Sequence, residues 1–205
     1  MSMTVDEVME LAPVIPVLVV DRVEDALPIA RALVAGGLRA LEVTLRTPAA
    51  LDVMRAMVQV EGAVVGAGTV CTPGQLDAAL EAGARFVVSP GLTETLGRTV
   101  IASGVPWLPG VATAGDIMRG MELGLNRFKF FPAETSGGIA ALNALAAPFY
   151  EARFCPTGGI TEASAPEWLA QPFVKCVGGS WVIPKGPADT GRIEALARAA
   201  CGLRC

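Results

Sequence analysis

The chain contains no histidine. That removes the commonest general base and the commonest metal ligand together. Ser-His-Asp and Cys-His nucleophile chemistry are excluded, and acid–base work is left to Glu, Asp, Lys, Tyr, Cys or water. Lysine is scarce as well: Lys129, Lys175 and Lys185 are the three present. Charged residues make up 18% of the chain, the formal net charge is −4, and no basic cluster occurs. That argues against nucleic acid as a partner. The five cysteines, Cys71, Cys155, Cys176, Cys201 and Cys205, are odd in number and include no CxxC pair. Neither a structural zinc site nor a disulfide framework fits that pattern, so reduced thiols and a cytoplasmic setting are expected. Pro, Gly or a charge breaks every apolar stretch before it could span a bilayer. No basic segment precedes an apolar one at the N-terminus, so neither a membrane partner nor a secretory signal is expected.

What is present is apolar. Of 205 residues, 52% are hydrophobic, enough for an extensive core in one domain spanning 1–205. Short β-rich runs at about 14–20, 40–46, 63–69, 85–90, 105–111, 127–133, 153–159 and 174–182 alternate with Ala- and Leu-rich segments of helical length. Thr47-Pro48, Thr72-Pro73, Thr93-Glu94 and Thr161-Glu162 read as helix starts. Ala35-Gly36-Gly37 and Ala82-Gly83 read as helix stops. Eight strand–helix units predict an α/β fold, a (β/α)8 TIM barrel, with an additional N-terminal helix from Val5 to Leu11. An open doubly wound sheet is the alternative.

Side chains alternate along a strand with period two. In the second run, Leu41, Val43 and Leu45 share one face, and Glu42, Thr44 and Arg46 share the other. The apolar set belongs under helices, which sends the polar set into the interior. A solvent-facing edge strand would alternate in the same way. In the sixth run Phe128 and Phe130 point one way, Lys129 and Phe131 the other. A lysine in a dry site loses proton affinity, and the neutral amine attacks carbonyls to form a Schiff base. Lys129 is thus the candidate nucleophile and Glu42 the candidate base. Arg46 offers a planar fork for a carboxylate. A buried Glu–Arg–Lys charge network with no catalytic role is the plain alternative. Lys175, also in a strand-like run, is the rival nucleophile.

Glycines mark the ends of several runs. In Gly66-Ala67-Gly68-Thr69 they would let main-chain N–H groups approach a ligand, with Thr69 adding a hydroxyl. Thr157-Gly158-Gly159 and Gly178-Gly179-Ser180 end the seventh and eighth runs, the usual phosphate position in such a barrel. Backbone N–H groups and a helix N-terminus would hold the anion there. Two ordinary turns would also want glycines.

Six segments together resemble the 2-keto-3-deoxy-6-phosphogluconate (KDPG) aldolase family, class I Schiff-base enzymes. They are Leu41-Glu42-Val43-Thr44-Leu45-Arg46-Thr47, Gly66-Ala67-Gly68-Thr69-Val70, Ser89-Pro90-Gly91-Leu92-Thr93, Lys129-Phe130-Phe131-Pro132-Ala133-Glu134, Cys155-Pro156-Thr157-Gly158-Gly159-Ile160 and Gly178-Gly179-Ser180-Trp181. The resemblance implies a Schiff base on Lys129 and acid/base work by Glu42. It implies pyruvate binding by Arg46 and Thr69, with Pro90 and Phe131 lining the pocket. Thr157 would favour the gluconate over the galactonate sugar acid. Gly158, Gly159, Gly178, Gly179 and Ser180 would take the phosphate. Some members carry an arginine near the end of strand one, where Val17-Leu18-Val19-Val20 offers none. The resemblance further implies reversible cleavage of the phosphorylated keto acid to pyruvate and glyceraldehyde 3-phosphate, without metal or cofactor, by a cytosolic homotrimer. 2-Keto-4-hydroxyglutarate would be a side substrate. A galactonate aldolase, a sugar-phosphate isomerase or epimerase, and a non-catalytic phosphate-binding barrel are the competing readings.

Overall fold

The computed structural model describes residues 3–184 and 186–203. Lys185 and Cys205, counted above among the lysines and cysteines, lie outside the described residues, as do Met1, Ser2 and Arg204.

Strands and helices alternate along the chain. The strands are β1 (Val14–Leu18), β2 (Ala40–Thr44), β3 (Val64–Gly68), β4 (Phe86–Val88), β5 (Trp107–Leu108), β6 (Gly110–Val111), β7 (Arg127–Phe130), β8 (Arg153–Pro156) and β9 (Val177–Gly179). The helices are α1 (Val5–Glu10), α2 (Ala26–Ala35), α3 (Ala50–Met57), α4 (Pro73–Glu81), α5 (Glu94–Ser103), α6 (Ala114–Glu122), α7 (Gly138–Ala146), α8 (Ala165–Leu169) and α9 (Thr190–Cys201). All pairings are parallel. A curled six-stranded sheet runs β5-β4-β3-β2-β1-β9, and a three-stranded sheet runs β6-β7-β8. Single parallel bridges at Phe154↔Val174 and Thr157↔Gly178 link β8 to the β9 region. The predicted run 105–111 is interrupted, because Pro109 has no N–H to give to a ladder. Its carbonyl still accepts from Lys129 N at 2.8 Å.

The period-two pattern sorts the strand residues into two cores. Leu41, Val43, Val65, Ala67, Val87, Phe128, Phe130 and Phe154 pack against helix residues such as Leu33, Met57, Leu76 and Trp168. Burying each large apolar side chain there stabilises the fold by about 1.5–3 kcal/mol. The opposite strand faces contribute Ile15, Ala40, Phe86, Val88, Leu108, Cys155 and Cys176, closed from below by Val8 and Met9 of α1. α1 is fixed by a capping box between Thr4 and Glu7. Ion pairs of Asp6 with Arg127 at 2.6 Å and Glu10 with Lys175 at 2.9 Å bind it to strand starts.

Helix stops fall where glycine predicts them: α2 ends before Gly36 and Gly37, and α4 before Gly83, with left-handed φ at Gly37 and Gly83. Thr72 and Thr93 cap α4 and α5. Thr47 is not a cap. α3 begins at Ala50, and the Thr47 hydroxyl donates instead to Val20 O at 2.9 Å, tying the end of β2 to the end of β1. Thr161 likewise precedes α8 without capping it: Ser164 occupies the cap position, the Thr161 hydroxyl donates to Ser164 Oγ at 3.3 Å, and each side-chain oxygen accepts from the other residue's main-chain N–H. Among the described residues no helix is long and apolar enough to cross a membrane.

Candidate active site

Lys129, third in β7, and Glu42, third in β2, point into one shared interior. Their heads meet there, with Lys129 Nζ 3.2 Å from Glu42 Oε1. Both residues are nearly sealed, 3% and 2% exposed. A charged pair removed from water needs close geometry to repay its desolvation, and the strands supply it. Phe128 and Phe130, on the outer face of β7, lock the strand into the helix-side core. The Phe131 ring lies 5.1 Å from Lys129 Nζ, within cation–π range, and is half-buried at the mouth of the interior.

Beside Glu42 the glycines of β3 have a different purpose from the one expected. A Cβ at Gly68 would stand 2.7 Å from Glu42 Cγ, and one at Gly66 would collide with the Phe86 ring. Their missing side chains make room for the carboxylate and for the ring beneath it. Arg46 lies just past β2, exposed, and its Nε donates to Thr69 Oγ1 at 3.2 Å. Thr69 holds a left-handed backbone at φ 61, where a β-branched residue is strained. Arg46 and Thr69 therefore form a polar edge above the buried pair.

Thr157 is buried. Its hydroxyl donates to Cys155 O at 3.3 Å, and its Cγ2 occupies the space a Cβ at Gly178 would need. Pro90 is half-buried, and its carbonyl fits against Gly110, where a Cβ would overlap it. Buried Ser89 orders this corner by donating to Gly91 O at 2.7 Å and accepting from Trp107 Nε1 at 3.0 Å. Neither Ser89 nor Trp107 stands out as a site residue by sequence. Asp116 fixes the loop after β6. Burial pushes its carboxyl upward. Hydrogen bonds from Ala112 N–H, from the Thr113 hydroxyl and N–H, and the Arg119 charge outweigh that and hold it below the usual carboxylate range.

The expected phosphate end differs in detail. Gly158 and Gly159 follow β8 with φ of 104 and 84, conformations open to glycine. Gly178 and Gly179 are not a turn. They lie within β9, Gly178 against Thr157 and Gly179 under the Trp181 ring. Ser180 is exposed at the strand end. The expected helix N-terminus is absent from this corner of the described chain. Ser180–Ile183 form a turn, α9 starts at Thr190, and α8 has five residues.

The rival lysine lies elsewhere. Lys175 precedes β9, has 36% of its side chain exposed, and pairs with Glu10 at the opposite end of the strands.

Comparison with known proteins gives one family. The model for "Aldolase: KDPG and KHG aldolase" matches residues 5–198. A 2-dehydro-3-deoxy-phosphogluconate aldolase of Zymomonas mobilis subsp. mobilis is 58% identical over 200 residues, covering 98% of this chain and 96% of the relative. The crystal structure of the 2-keto-3-deoxy-6-phosphogluconate aldolase of Zymomonas mobilis ZM4 with 3-phosphoglycerate superposes with a TM-score of 0.97 at 56% identity, covering 100% of this chain and 98% of that one. A KDPG aldolase from Legionella pneumophila, with pyruvate captured at low pH as a covalent carbinolamine, gives a TM-score of 0.95 at 43% identity, covering 98% and 100%. With a match that runs through nearly every strand and helix described above, the chain belongs to the KDPG and KHG aldolase family.

Proposed function

We propose that this chain is a class I aldolase that cleaves 2-keto-3-deoxy-6-phosphogluconate reversibly to pyruvate and glyceraldehyde 3-phosphate. The observation that carries the reading is the buried Lys129–Glu42 pair at 3.2 Å beneath the Arg46–Thr69 edge. It joins an amine for a ketone, a base beside it, and a guanidinium for the adjoining carboxylate.

Lys129 gives up a proton, for which Glu42 Oε1 is the nearest acceptor, and its lone pair attacks the C2 ketone. Glu42 returns that proton to the carbinolamine hydroxyl, which leaves as water, giving a protonated imine, an electron sink that needs no metal ion, and leaving Glu42 again a carboxylate. A carbinolamine of this kind is the species captured with pyruvate in the Legionella pneumophila relative. Glu42, directly or through water, then takes the proton of the C4 hydroxyl. The C3–C4 bond breaks, its electrons pass into the imine, and glyceraldehyde 3-phosphate leaves. Glu42 helps return a proton to C3 of the enamine, and hydrolysis frees pyruvate and Lys129. Arg46 and Thr69 hold the carboxylate, and Pro90 and Phe131 close over the keto end. Thr157 meets the sugar hydroxyls. Gly158, Gly159, Gly178, Gly179 and Ser180 line the phosphate end, which relies on main-chain groups because strand one ends without an arginine. 2-Keto-4-hydroxyglutarate shares the keto-acid end and is a side substrate.

The same reading covers the architecture. The bridges between β8 and β9, and the one-residue break between β5 and β6, support joining the two sheets as a single (β/α)8 barrel with α1 as its plug. The unit is one domain, 1–205, and works as a cytoplasmic homotrimer.

Borohydride reduction in the presence of pyruvate, followed by peptide mass spectrometry, tests this. The expected adduct is on Lys129. An adduct on Lys175, or none, would end the reading.

A further inference from the structure

Glu134 belongs to the segment that follows β7, three residues beyond Phe131. Its main-chain N–H donates to Gly158 O at 3.1 Å, and that of Ala133 donates to Thr157 O at 2.8 Å. Its side chain lies across Gly159: a Cβ there would stand 2.6 Å from Glu134 Cγ and 2.7 Å from Glu134 Cβ. The carboxylate ends on Trp168, whose indole Nε1 donates to Glu134 Oε1 at 2.9 Å. Trp168 is 1% exposed and packs on Phe130 with ring centroids 6.3 Å apart. A core-fixed donor thus holds the end of an otherwise exposed side chain. Such a side chain loses rotamer freedom on ordering, and a charge-assisted hydrogen bond offsets that loss. Gly158 and Gly159 have left-handed φ and no side chains with which to hold their own conformation.

We propose that Glu134, anchored by Trp168, is a positioning residue that fixes the Gly158–Gly159 loop and thereby sets affinity for the phosphate end of the substrate. The proposal rests on the aldolase reading above. One continuous segment then serves both ends of the substrate, with Lys129 upstream on the ketone and Glu134 downstream behind the phosphate loop. Without the clamp the imine chemistry persists, but ordering the loop is charged against binding of the phosphorylated substrate. Pyruvate has no phosphate and is indifferent to the change.

The test compares two reactions in one set of variants. In Glu134→Ala, KM for the phosphorylated keto acid should rise about tenfold with kcat within about twofold. Exchange of pyruvate methyl protons in deuterated water should stay at the level of the unaltered chain. Glu134→Gln keeps an acceptor for the indole and should restore KM. Trp168→Phe keeps the ring and removes the donor, so it should reproduce the Glu134→Ala effect, and the double variant should add nothing further. An unchanged KM in Glu134→Ala, or an equal loss in both reactions, overturns the proposal. If Glu134→Ala does not fold, Trp168→Phe alone carries the same comparison. Absence of pyruvate exchange in the unaltered chain would instead overturn the aldolase reading itself.

Discussion

The two ends of the interior use the same kind of contact for opposite purposes. At the lower rim Lys175 meets Glu10 at 2.9 Å, and in the upper interior Lys129 meets Glu42 at 3.2 Å. Distance does not separate the pairs. Surroundings do. The lower pair is washed by solvent and latches α1 onto the strands, where such a contact contributes roughly 0–1 kcal/mol. The upper pair rests on a dry floor made by Phe86, Val88, Leu108 and Cys155, with Val8 and Met9 closing the bottom. In the proposed mechanism, then, what distinguishes the reactive lysine is what lies under it, more than the carboxylate beside it.

Five substitutions separate the two ends. The largest effect is expected from Lys129→Met, which should lower turnover by about a thousandfold or more and abolish borohydride trapping, because no other described lysine reaches the interior. Glu42→Gln should follow, with kcat reduced about a hundredfold in steady-state assays; near-normal turnover would remove Glu42 from the acid/base role. In the lower half, Val8→Ala should cost about 1.5 kcal/mol in chemical denaturation, leaving kcat within about twofold at temperatures where the chain stays folded. A smaller effect belongs to Asp116. Its carboxyl is held below its ordinary value, so the stability it contributes is present above the unfolded value of 3.8 and disappears as pH falls through the lower folded value. Asp116→Asn should cost about 1 kcal/mol near neutral pH, and its denaturation midpoint should converge on that of the unaltered chain in strong acid. Lys175→Met is expected to change least: trapping and kcat unaltered, stability within about 1 kcal/mol. A large loss of turnover there would dissolve the distinction between the two ends.

Much of this was legible in the residues because a strand has a fixed period. Alternation alone sends Glu42 and Thr44 to one face and Leu41 and Val43 to the other, and it sends Lys129 opposite Phe128 and Phe130. Helix stops were legible at Gly36-Gly37 and Gly83, because a left-handed residue after a helix favours glycine wherever it occurs. What a period cannot reveal is who stands across the interior. Gly66 and Gly68 read as ligand-facing turns, yet their space is filled by Phe86 and Glu42 from neighbouring strands. Gly178-Gly179 read as a turn and is strand, because its small size accommodates Thr157 and Trp181. Thr47 has the spelling of a helix cap, but a partner in β1 claims its hydroxyl. The Ser89–Trp107 and Glu134–Trp168 contacts join residues 18 and 34 positions apart, with no local pattern to announce them.

Thr69 carries a consequence for anyone altering this chain. Its left-handed backbone suits glycine, and keeping a β-branched residue there costs about 1–3 kcal/mol, a visible share of the roughly 5–15 kcal/mol that holds a typical domain together. The hydroxyl that faces Arg46 comes only with that strain. With that hydroxyl holding the substrate carboxylate, as proposed, selection for heat tolerance and selection for turnover pull this position in opposite directions. A laboratory screen that rewarded melting temperature alone would drift toward glycine at position 69 and return a sturdier, poorer catalyst.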